Sequence, residues 1–277
     1  MSVTTTDTAT TPRAAPLPGR YGTVDLMRSE WTKLRTVRST IWTLCMSVLT
    51  GLTASGLATG VTRAHWAAMT ASNKASFHPV EVSLMGAYLG GTLLLGILGI
   101  LVVSGEYATG TIRATLSAAP RRPMVLAAKV LVFGAVALVV AELAAFASFF
   151  LGQALLTAPA PHATLSSPGA LRAVAGAGLF LCVVGLLALG IAVLVRHTAG
   201  AISSYVGVIL VLPIIVSALP GSLQYQIERL LPLEIGSAMI NNPAPGAFGP
   251  WAGFFILCGY TVLILALATV FLVRRDA

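Results

Sequence analysis

Six apolar segments, each about 20 residues long, constrain this chain more than any other feature of its sequence. A helix needs roughly 20 apolar residues to cross the ~30 Å hydrocarbon core of a bilayer. Only 9% of the 277 residues are charged, whereas soluble proteins carry about 25%. The sequence therefore predicts an all-α membrane protein, a bundle of six transmembrane helices. The segments are approximately 41–61, 82–104, 130–151, 173–195, 199–219 and 251–273.

Details of these segments predict how the helices continue and pack. The third can extend over 124–157, which implies tilt or a projection beyond the membrane. Only 196–198 separate the fourth and fifth, which predicts a tight helical hairpin. Small residues at helix-packing spacing favour close contacts within one bundle, with a dimer seam as the alternative. They are Gly56, Gly60, Gly86, Gly90, Gly91, Gly96 and Gly99.

The distribution of basic residues predicts the orientation. Segments 1–40, 105–129, 196–198 and 274–277 hold 13 of the 17 Lys and Arg residues. Since basic residues concentrate in cytoplasmic loops, both termini are predicted to be cytoplasmic in a multi-pass protein of the cell membrane. Residues 1–20, rich in Thr, Ala and Pro, are predicted to form a disordered cytoplasmic tail. An interfacial helix is predicted over 21–40, and the transmembrane domain over 41–273.

The interfacial helix is predicted from the sequence TVDLMRSEWTKLRTVRSTIW at 23–42. Its apolar residues follow the spacing of one helical face, with Trp31 at headgroup depth. Basic residues of this helix are predicted to meet anionic lipid, and we single out Lys33, Arg35 and Arg38. Glu30 and Arg38 blur the two faces, so a solvated basic stretch is the alternative. The predicted apolar face consists of Val24, Met27, Trp31 and Leu34.

A polar stretch, GEYATGTIRATLSAAPRR at 105–122, separates the second and third apolar segments. Glu106 ends the second span, Gly110 permits a sharp turn, and Thr111 is a plausible N-cap. A short helix is predicted over 112–118, on which Ile112 and Leu116 form an apolar ridge. Such a helix suits docking into a groove of another protein, and an ordinary basic loop is the alternative.

Glu142 is a carboxylate in the middle of the third apolar segment. A charge at this depth usually faces a protein interior or a water-filled path. One interpretation is that Glu142 lines a translocation path and favours cationic or polar cargo. The other is a protonated or paired glutamate that contacts a neighbouring helix.

Two cytoplasmic motifs resemble the membrane subunits of type-2 ATP-binding-cassette (ABC) exporters. They are SEWTKLRxxRST at 29–40 and EYATGTIRATLxxxPRRxxxxxxK at 106–129. The resemblance implies a six-span permease whose helix before the first span is a connecting helix. It also implies that the loop after the second span holds a coupling helix, which rests on a separate ATPase subunit. The residues it places in that loop are Glu106, Gly110, Thr111, Ile112, Arg113 and Leu116.

The same resemblance implies short external helices over 221–240 and a second permease copy, identical or homologous, as partner. ATP and Mg²⁺ would bind to the ATPase subunit, so no cofactor is expected on this chain. The sequence has no Gly-Lys dipeptide and hence no phosphate-binding loop. No catalytic residue, metal site or nucleic-acid partner is predicted. Two alternatives stay open: a proton-coupled secondary transporter that uses Glu142, and a non-transporting membrane sensor or immunity protein.

Overall fold

A computed structural model describes residues 22–112, 115, 121–241 and 248–274, and the predicted tail over 1–20 lies outside them. The described chain is helical and contains no strand. Its helices are α1 (Thr23–Thr36), α2 (Arg38–His65), α3 (Ala71–Ala75), α4 (Pro79–Ala108), α5 (Arg122–Leu155), α6 (Ala170–Val195), α7 (Thr198–Val206), α8 (Leu212–Ser217), α9 (Gly221–Glu228), α10 (Pro232–Ile240) and α11 (Pro250–Arg274).

Six of the helical stretches are long and apolar enough to cross a membrane. They are Arg38–Ala68, Pro79–Ala108, Arg122–Leu155, Ala170–Val195, Thr198–Ser217 and Pro250–Arg274. The prediction of an all-α bundle with six membrane helices is thereby confirmed. The third has 34 residues, more than the ~20 that a crossing needs. It therefore extends beyond the hydrocarbon core or tilts within it, as its long apolar pattern predicts.

The fifth span is irregular in its middle. A π-helical turn at Gly207–Val211 separates α7 from α8, and the Leu212 amide donates to the Gly207 carbonyl five residues back. Pro213, in the first turn of α8, has no amide hydrogen to continue the regular pattern. Arg196 and His197 alone connect α6 to α7, and Arg196 takes a left-handed φ of 60°. The hairpin is as tight as predicted.

The core of the bundle is built around α6, which packs against α4, α5, α10 and α11. Within an 18-residue apolar stretch of each span, 67% of α6 is buried, against 22% of α2, of α7–α8 and of α11. Backbones approach closely where a Cβ would not fit: at Gly99 it would clash with the Gly185 carbonyl, and at Gly86 with α2. The expectation of packing does not extend to Gly60, which faces open space.

Short helices also occur where the resemblance implies them, between the fifth and sixth spans. Of these, α10 packs against α6 and α11. The hydroxyl of Tyr88 in α4 donates a hydrogen bond to the Leu233 carbonyl in α10. At the opposite end of the bundle, α1 packs against α5 and ends at Thr36, and the extended backbone of Val37 makes an elbow before α2. The candidate functional site lies beneath this elbow.

Candidate functional site

Four charged side chains form a closed ion network at the end of the bundle that carries α1. Lys33 donates from Nζ to Oε1 of Glu30 at 2.6 Å and to Oε1 of Glu106 at 2.8 Å. Lys129 donates from Nζ to Oε2 of Glu30 at 2.6 Å and to Oε1 of Glu106 at 2.9 Å. Each lysine therefore contacts both glutamates, and the four formal charges cancel.

This network is largely buried. The side chains of Glu30 and Lys129 are each 5% exposed, that of Glu106 is 11% exposed, and that of Lys33 is 34% exposed. Removing one partner from a buried ion pair leaves an uncompensated charge, which typically costs about 3–5 kcal/mol. Loss of a buried member of the network is therefore expected to destabilise this end of the bundle.

The protonation of Lys33 follows from the same contacts. Burial alone would lower the pKa of its ammonium, but the hydrogen bonds and charges of Glu106 and Glu30 outweigh burial. The pKa of Lys33 therefore lies above its ordinary value. A group whose pKa is raised on folding contributes its full stabilisation below the unfolded pKa, and loses it as pH rises through the folded pKa. At neutral pH the contribution of Lys33 is fully present.

The helices bring these residues together from three distant parts of the sequence. Glu30 and Lys33 are three residues apart and share the face of α1 that meets α5. Glu106 lies in the last turn of α4, and Lys129 lies two turns into α5. The connection 109–121 is thus bracketed by one network residue on each side. Both flanking helices are tied to α1 through the same ions.

The polar loop leaves α4 through a sharp turn at Gly110. Its φ is 70°, a left-handed conformation that side chains with a Cβ rarely adopt. The Thr109 hydroxyl donates to the Gly105 carbonyl at 2.8 Å and lies 2.9 Å from the Thr111 hydroxyl. Thr111 accepts at its carbonyl a hydrogen bond from the Thr115 side chain, at 3.1 Å. The first residues of the loop therefore have a defined path away from the membrane helix.

Ile112 requires a correction. Its side chain is 8% exposed and packs in the main hydrophobic core, whereas the predicted ridge requires it to face outward. Helical spacing alone cannot tell whether an apolar side chain faces outward or packs inward. In this structure Ile112 packs inward, against the bundle. Arg113 and Leu116, with most of the predicted 112–118 helix, lie outside the described residues.

The structure divides the predicted faces of α1 differently from the sequence pattern. Val24, Met27 and Trp31 are exposed, with Trp31 at 49%, and can meet lipid, whereas Leu34 is buried. Arg35 and Arg38 are exposed. Lys33, predicted to meet anionic lipid with the other bases, is instead directed to two carboxylates. The face that packs against the bundle is thus marked by Glu30, which appeared only to interrupt the pattern.

Two arginines next to the site cap the last membrane helix. Arg122 donates from Nη1 to the Leu272 carbonyl at 3.0 Å, and Arg196 donates from Nη2 to the Phe271 carbonyl at 3.3 Å. The Arg196 guanidinium also lies 5.7 Å from the ring centroid of Tyr107. Carbonyls at a helix end lack intrahelical donors, so these contacts satisfy them. They connect α11 to the start of α5 and to the α6–α7 turn.

Glu142 lies where α5 meets α6, away from the ion network. A Cβ at Gly178 of α6 would lie 2.7 Å from its Oε2, so the carboxyl fits a niche that only glycine leaves open. This Oε2 is buried and has no hydrogen-bond partner among the residues that the structure describes. The side chain is half-buried, near the lipid-facing Val139 and Leu143.

Metal-binding side chains do not cluster within the described ranges. No group of three or more His, Cys, Asp or Glu residues there is arranged to hold a metal ion. All three cysteines are free thiols. Cys182 is buried, Cys258 is half-buried and Cys45 is exposed on α2.

A known protein family matches this chain over nearly its whole described length. The sequence profile of a family described as ABC-2 family transporter protein matches residues 25–277. The matched range contains all four residues of the ion network and all six membrane helices. No curated protein matches the chain at a significant level.

Proposed function

Because the chain belongs to the ABC-2 family of transporter proteins, we propose that it is the permease subunit of an ATP-binding-cassette exporter. In this proposal a separate cytoplasmic ATPase subunit binds to the loop between α4 and α5. The membrane bundle forms the translocation path. Hydrolysis of ATP takes place on the partner, in agreement with the lack of a phosphate-binding loop motif in this sequence.

The ion network is the observation that carries this proposal. A subunit that converts docking into helix movement needs a stiff connection between the docked loop and the spans. Glu106 and Lys129 flank the loop, and both contact Glu30 of α1 or its neighbour Lys33. Since separating buried opposite charges is costly, a push on the loop would move α1, α4 and α5 as one unit.

A second permease copy completes the proposal. In three spans of this chain, α2, α7–α8 and α11, only 22% of an 18-residue apolar stretch is buried within the chain. Lipid can cover such faces, but they also leave room for contacts with another bundle. We propose that two copies, or this chain and a homologue, enclose the path, with both termini in the cytoplasm of the cell as the basic residues predict.

Co-purification with a candidate ATPase tests the docking role. We expect the complex to be lost on Arg113→Glu combined with Leu116→Asp, both in the α4–α5 loop, while the permease alone stays folded by size-exclusion chromatography. The matched control is Arg63→Glu combined with Leu223→Asp. It makes the same changes at exposed positions near the other end of the bundle. Retention of the complex by the loop variant, or equal loss in the control, would contradict docking at this loop.

A further inference from the structure

A cavity of about 540 Å³ lies beneath the elbow between α1 and α2. Its volume is within the ~300–1,000 Å³ typical of small-molecule sites. One part of its wall is apolar and comes from α1, the elbow and α4. This part is formed by Leu34, Val37, Leu98, Leu101 and Val102. An apolar chain of the kind found in lipids can occupy this part of the cavity.

The polar part of the wall includes the start of α2. Val37 precedes this 28-residue helix, and its apolar side chain cannot cap the first turn. Among the described residues, no backbone carbonyl accepts from the amides of Arg38 and Ser39, the first two of the helix. Unpaired amides and the helix dipole both favour a negative charge at such a helix start. Ser39 lines the cavity, so the cavity reaches this end of α2.

The side chain of Thr40 is independent evidence for a ligand at this end. Thr40 is only 6% exposed and lines the cavity. Its hydroxyl has no hydrogen-bond partner in the part of the chain that the structure describes, yet it is not one of the fully enclosed unpartnered atoms. The small accessible part of Thr40 therefore includes the hydroxyl, which can donate a hydrogen bond to a group inside the cavity.

Lys33 adds a positive charge to the same wall. It gives two of its three ammonium hydrogens to Glu30 and Glu106. Its side chain is 34% exposed, whereas those of the two glutamates are 5% and 11% exposed. The more accessible charge at the cavity is thus the positive one. An ammonium, a hydroxyl and unpaired amides are all donors, so the matching ligand group is an anion with several acceptor oxygens.

The position of the cavity indicates where such a ligand comes from. The first span begins at Arg38 and the second ends at Ala108, and the cavity lies between these two ends. Span ends lie near the lipid headgroups, since the hydrocarbon core is only ~30 Å thick. Leu98 lies about two helical turns before Gly105 in α4, which places it roughly 10 Å closer to the middle of the span. The polar wall is therefore at headgroup level, and the apolar wall runs from it toward the hydrocarbon.

We propose that this cavity binds a phospholipid of net negative charge. An acyl chain lies against the apolar wall, and the phosphate accepts hydrogen bonds from Thr40, Lys33 and the first amides of α2. Hydrogen bonds to a charged acceptor are the stronger class, so the phosphate adds to the affinity of the chain. A zwitterionic headgroup has the same phosphate but places a second cation beside the Lys33 ammonium, which weakens binding. The site does not depend on whether an ATPase docks at the neighbouring loop.

The headgroup preference can be measured on the unmodified protein. The purified full chain is exchanged into an equimolar mixture of phosphatidylglycerol, phosphatidylcholine and diacylglycerol with identical acyl chains. Lipid retained after delipidation is then counted by native mass spectrometry. We expect phosphatidylglycerol to be retained about fivefold over phosphatidylcholine, the attraction that one accessible basic residue gives an anionic headgroup. Retention of phosphatidylcholine at the level of phosphatidylglycerol would overturn the proposal.

Substitution of Thr40 by valine tests where the phosphate lies. Thr40→Val removes the hydroxyl and keeps the branched shape of the side chain. The matched control is Thr53→Val, further along α2, where the hydroxyl donates to the Leu49 carbonyl of the same helix at 2.9 Å. We expect Thr40→Val to lower retention of phosphatidylglycerol about tenfold, the effect of one hydrogen bond to a charged group, and Thr53→Val to leave it unchanged. Unchanged retention in Thr40→Val would overturn the assignment of the phosphate to this helix start.

A cavity-filling variant tests where the acyl chain lies. Gly105 lines the cavity, and a Cβ there would meet no atom within 4 Å, so Gly105→Leu adds a side chain without a backbone clash. The matched control is Gly60→Leu, which also faces open space but lies near the opposite end of α2. We expect Gly105→Leu to lose the bound phosphatidylglycerol and Gly60→Leu to keep it. Undiminished retention in Gly105→Leu would place the lipid elsewhere and overturn the proposal.

Discussion

The ammonium nitrogen of Lys129 lies 2.6 Å from Oε2 of Glu30, although 99 positions separate the two residues in the sequence. Both side chains are 5% exposed. The contact joins the N-terminal helix α1 to α5, the third membrane helix. It also gives α1 a fixed orientation, because Glu30 can reach Lys129 from only one face of α1.

Substitution of Lys129 by methionine tests the energetic role of this contact. We expect Lys129→Met to lower the free energy of unfolding by about 3–5 kcal/mol, because Glu30 and Glu106 lose a buried counter-charge. Lys33→Met makes the same chemical change at a position that is 34% exposed. It should cost less, since water still reaches the site. Thermal unfolding in lipid nanodiscs measures both, and an equal effect of the two variants would contradict the assigned burial.

Charge reversal distinguishes a network from an isolated pair. In Glu30→Lys with Lys129→Glu, each new charge faces a like charge on Lys33 or Glu106, so the double variant should remain as unstable as Lys129→Met. Reversal of all four charges restores every contact and should recover most of the stability. The same unfolding assay reads the outcome. Full recovery in the double variant would mean that Glu30 and Lys129 act alone.

Ile112 provides a test of how the polar loop is attached. Ile112→Ala removes a side chain that is 8% exposed, and should destabilise the loop by about 2–5 kcal/mol, as for other large-to-small core changes. Limited proteolysis should then cut the 109–121 connection faster than in the unmodified chain. Val61→Ala, at a position 56% exposed, is the control and should leave the rate unchanged. Equal cleavage of both variants would favour the outward ridge expected from the sequence.

Gly99 tests the close approach of α4 and α6. Gly99→Val should prevent normal packing, because even a Cβ would clash with the carbonyl of Gly185. We expect it to lower the free energy of unfolding by at least about 1 kcal/mol, as in other overpacked cores. Gly60→Val, facing open space, is the matched control. Monodispersity in detergent and thermal unfolding compare the two. A stable, monodisperse Gly99→Val protein would show that the two helices can separate without cost.

Substitution of Glu142 tests whether this residue lines the proposed translocation path. We expect Glu142→Gln, which keeps the shape of the side chain in its niche beside Gly178, to leave the permease folded. If Glu142 lines the path, transport of a cationic substrate should fall relative to a neutral one in reconstituted vesicles with the ATPase. The secondary-transporter alternative instead requires ATP-independent transport that loses its dependence on a proton gradient. If Glu142→Gln leaves the selectivity and the rate of transport unchanged, Glu142 does not line the path.

The spans could be predicted from the sequence because the length of an apolar segment is a local property. The ion network could not, because three of its four contacts join residues at least 23 positions apart in the chain. Glu30 looked like an interruption of an apolar face until the structure placed Lys129 opposite it. In the sequence, Lys129 is only one of the basic residues that predict a cytoplasmic loop.

The residues of α1 and of the loop show what the periodicity of apolar residues cannot predict. Periodicity correctly groups Val24, Met27 and Trp31 on one face, but it cannot say which neighbouring face meets the bundle. It also groups Ile112 with Leu116 without telling inward from outward. A closely spaced Glu30–Lys33 pair beside a buried Leu34 is the one local signal that could have identified the packed face of α1.

The π-helical turn at Gly207–Val211 has a consequence for the register of the fifth span. One extra residue in a helix turns everything beyond it by about 100°. Val216 is buried while Ile214 and Ile215 are exposed, so α8 has one packed side and one open side. Deleting a single residue there would rotate α8 about its axis and present a different face to whatever lies beside it. The bundle thus contains a position at which an insertion or deletion of one residue changes an exposed surface without changing the order of the helices.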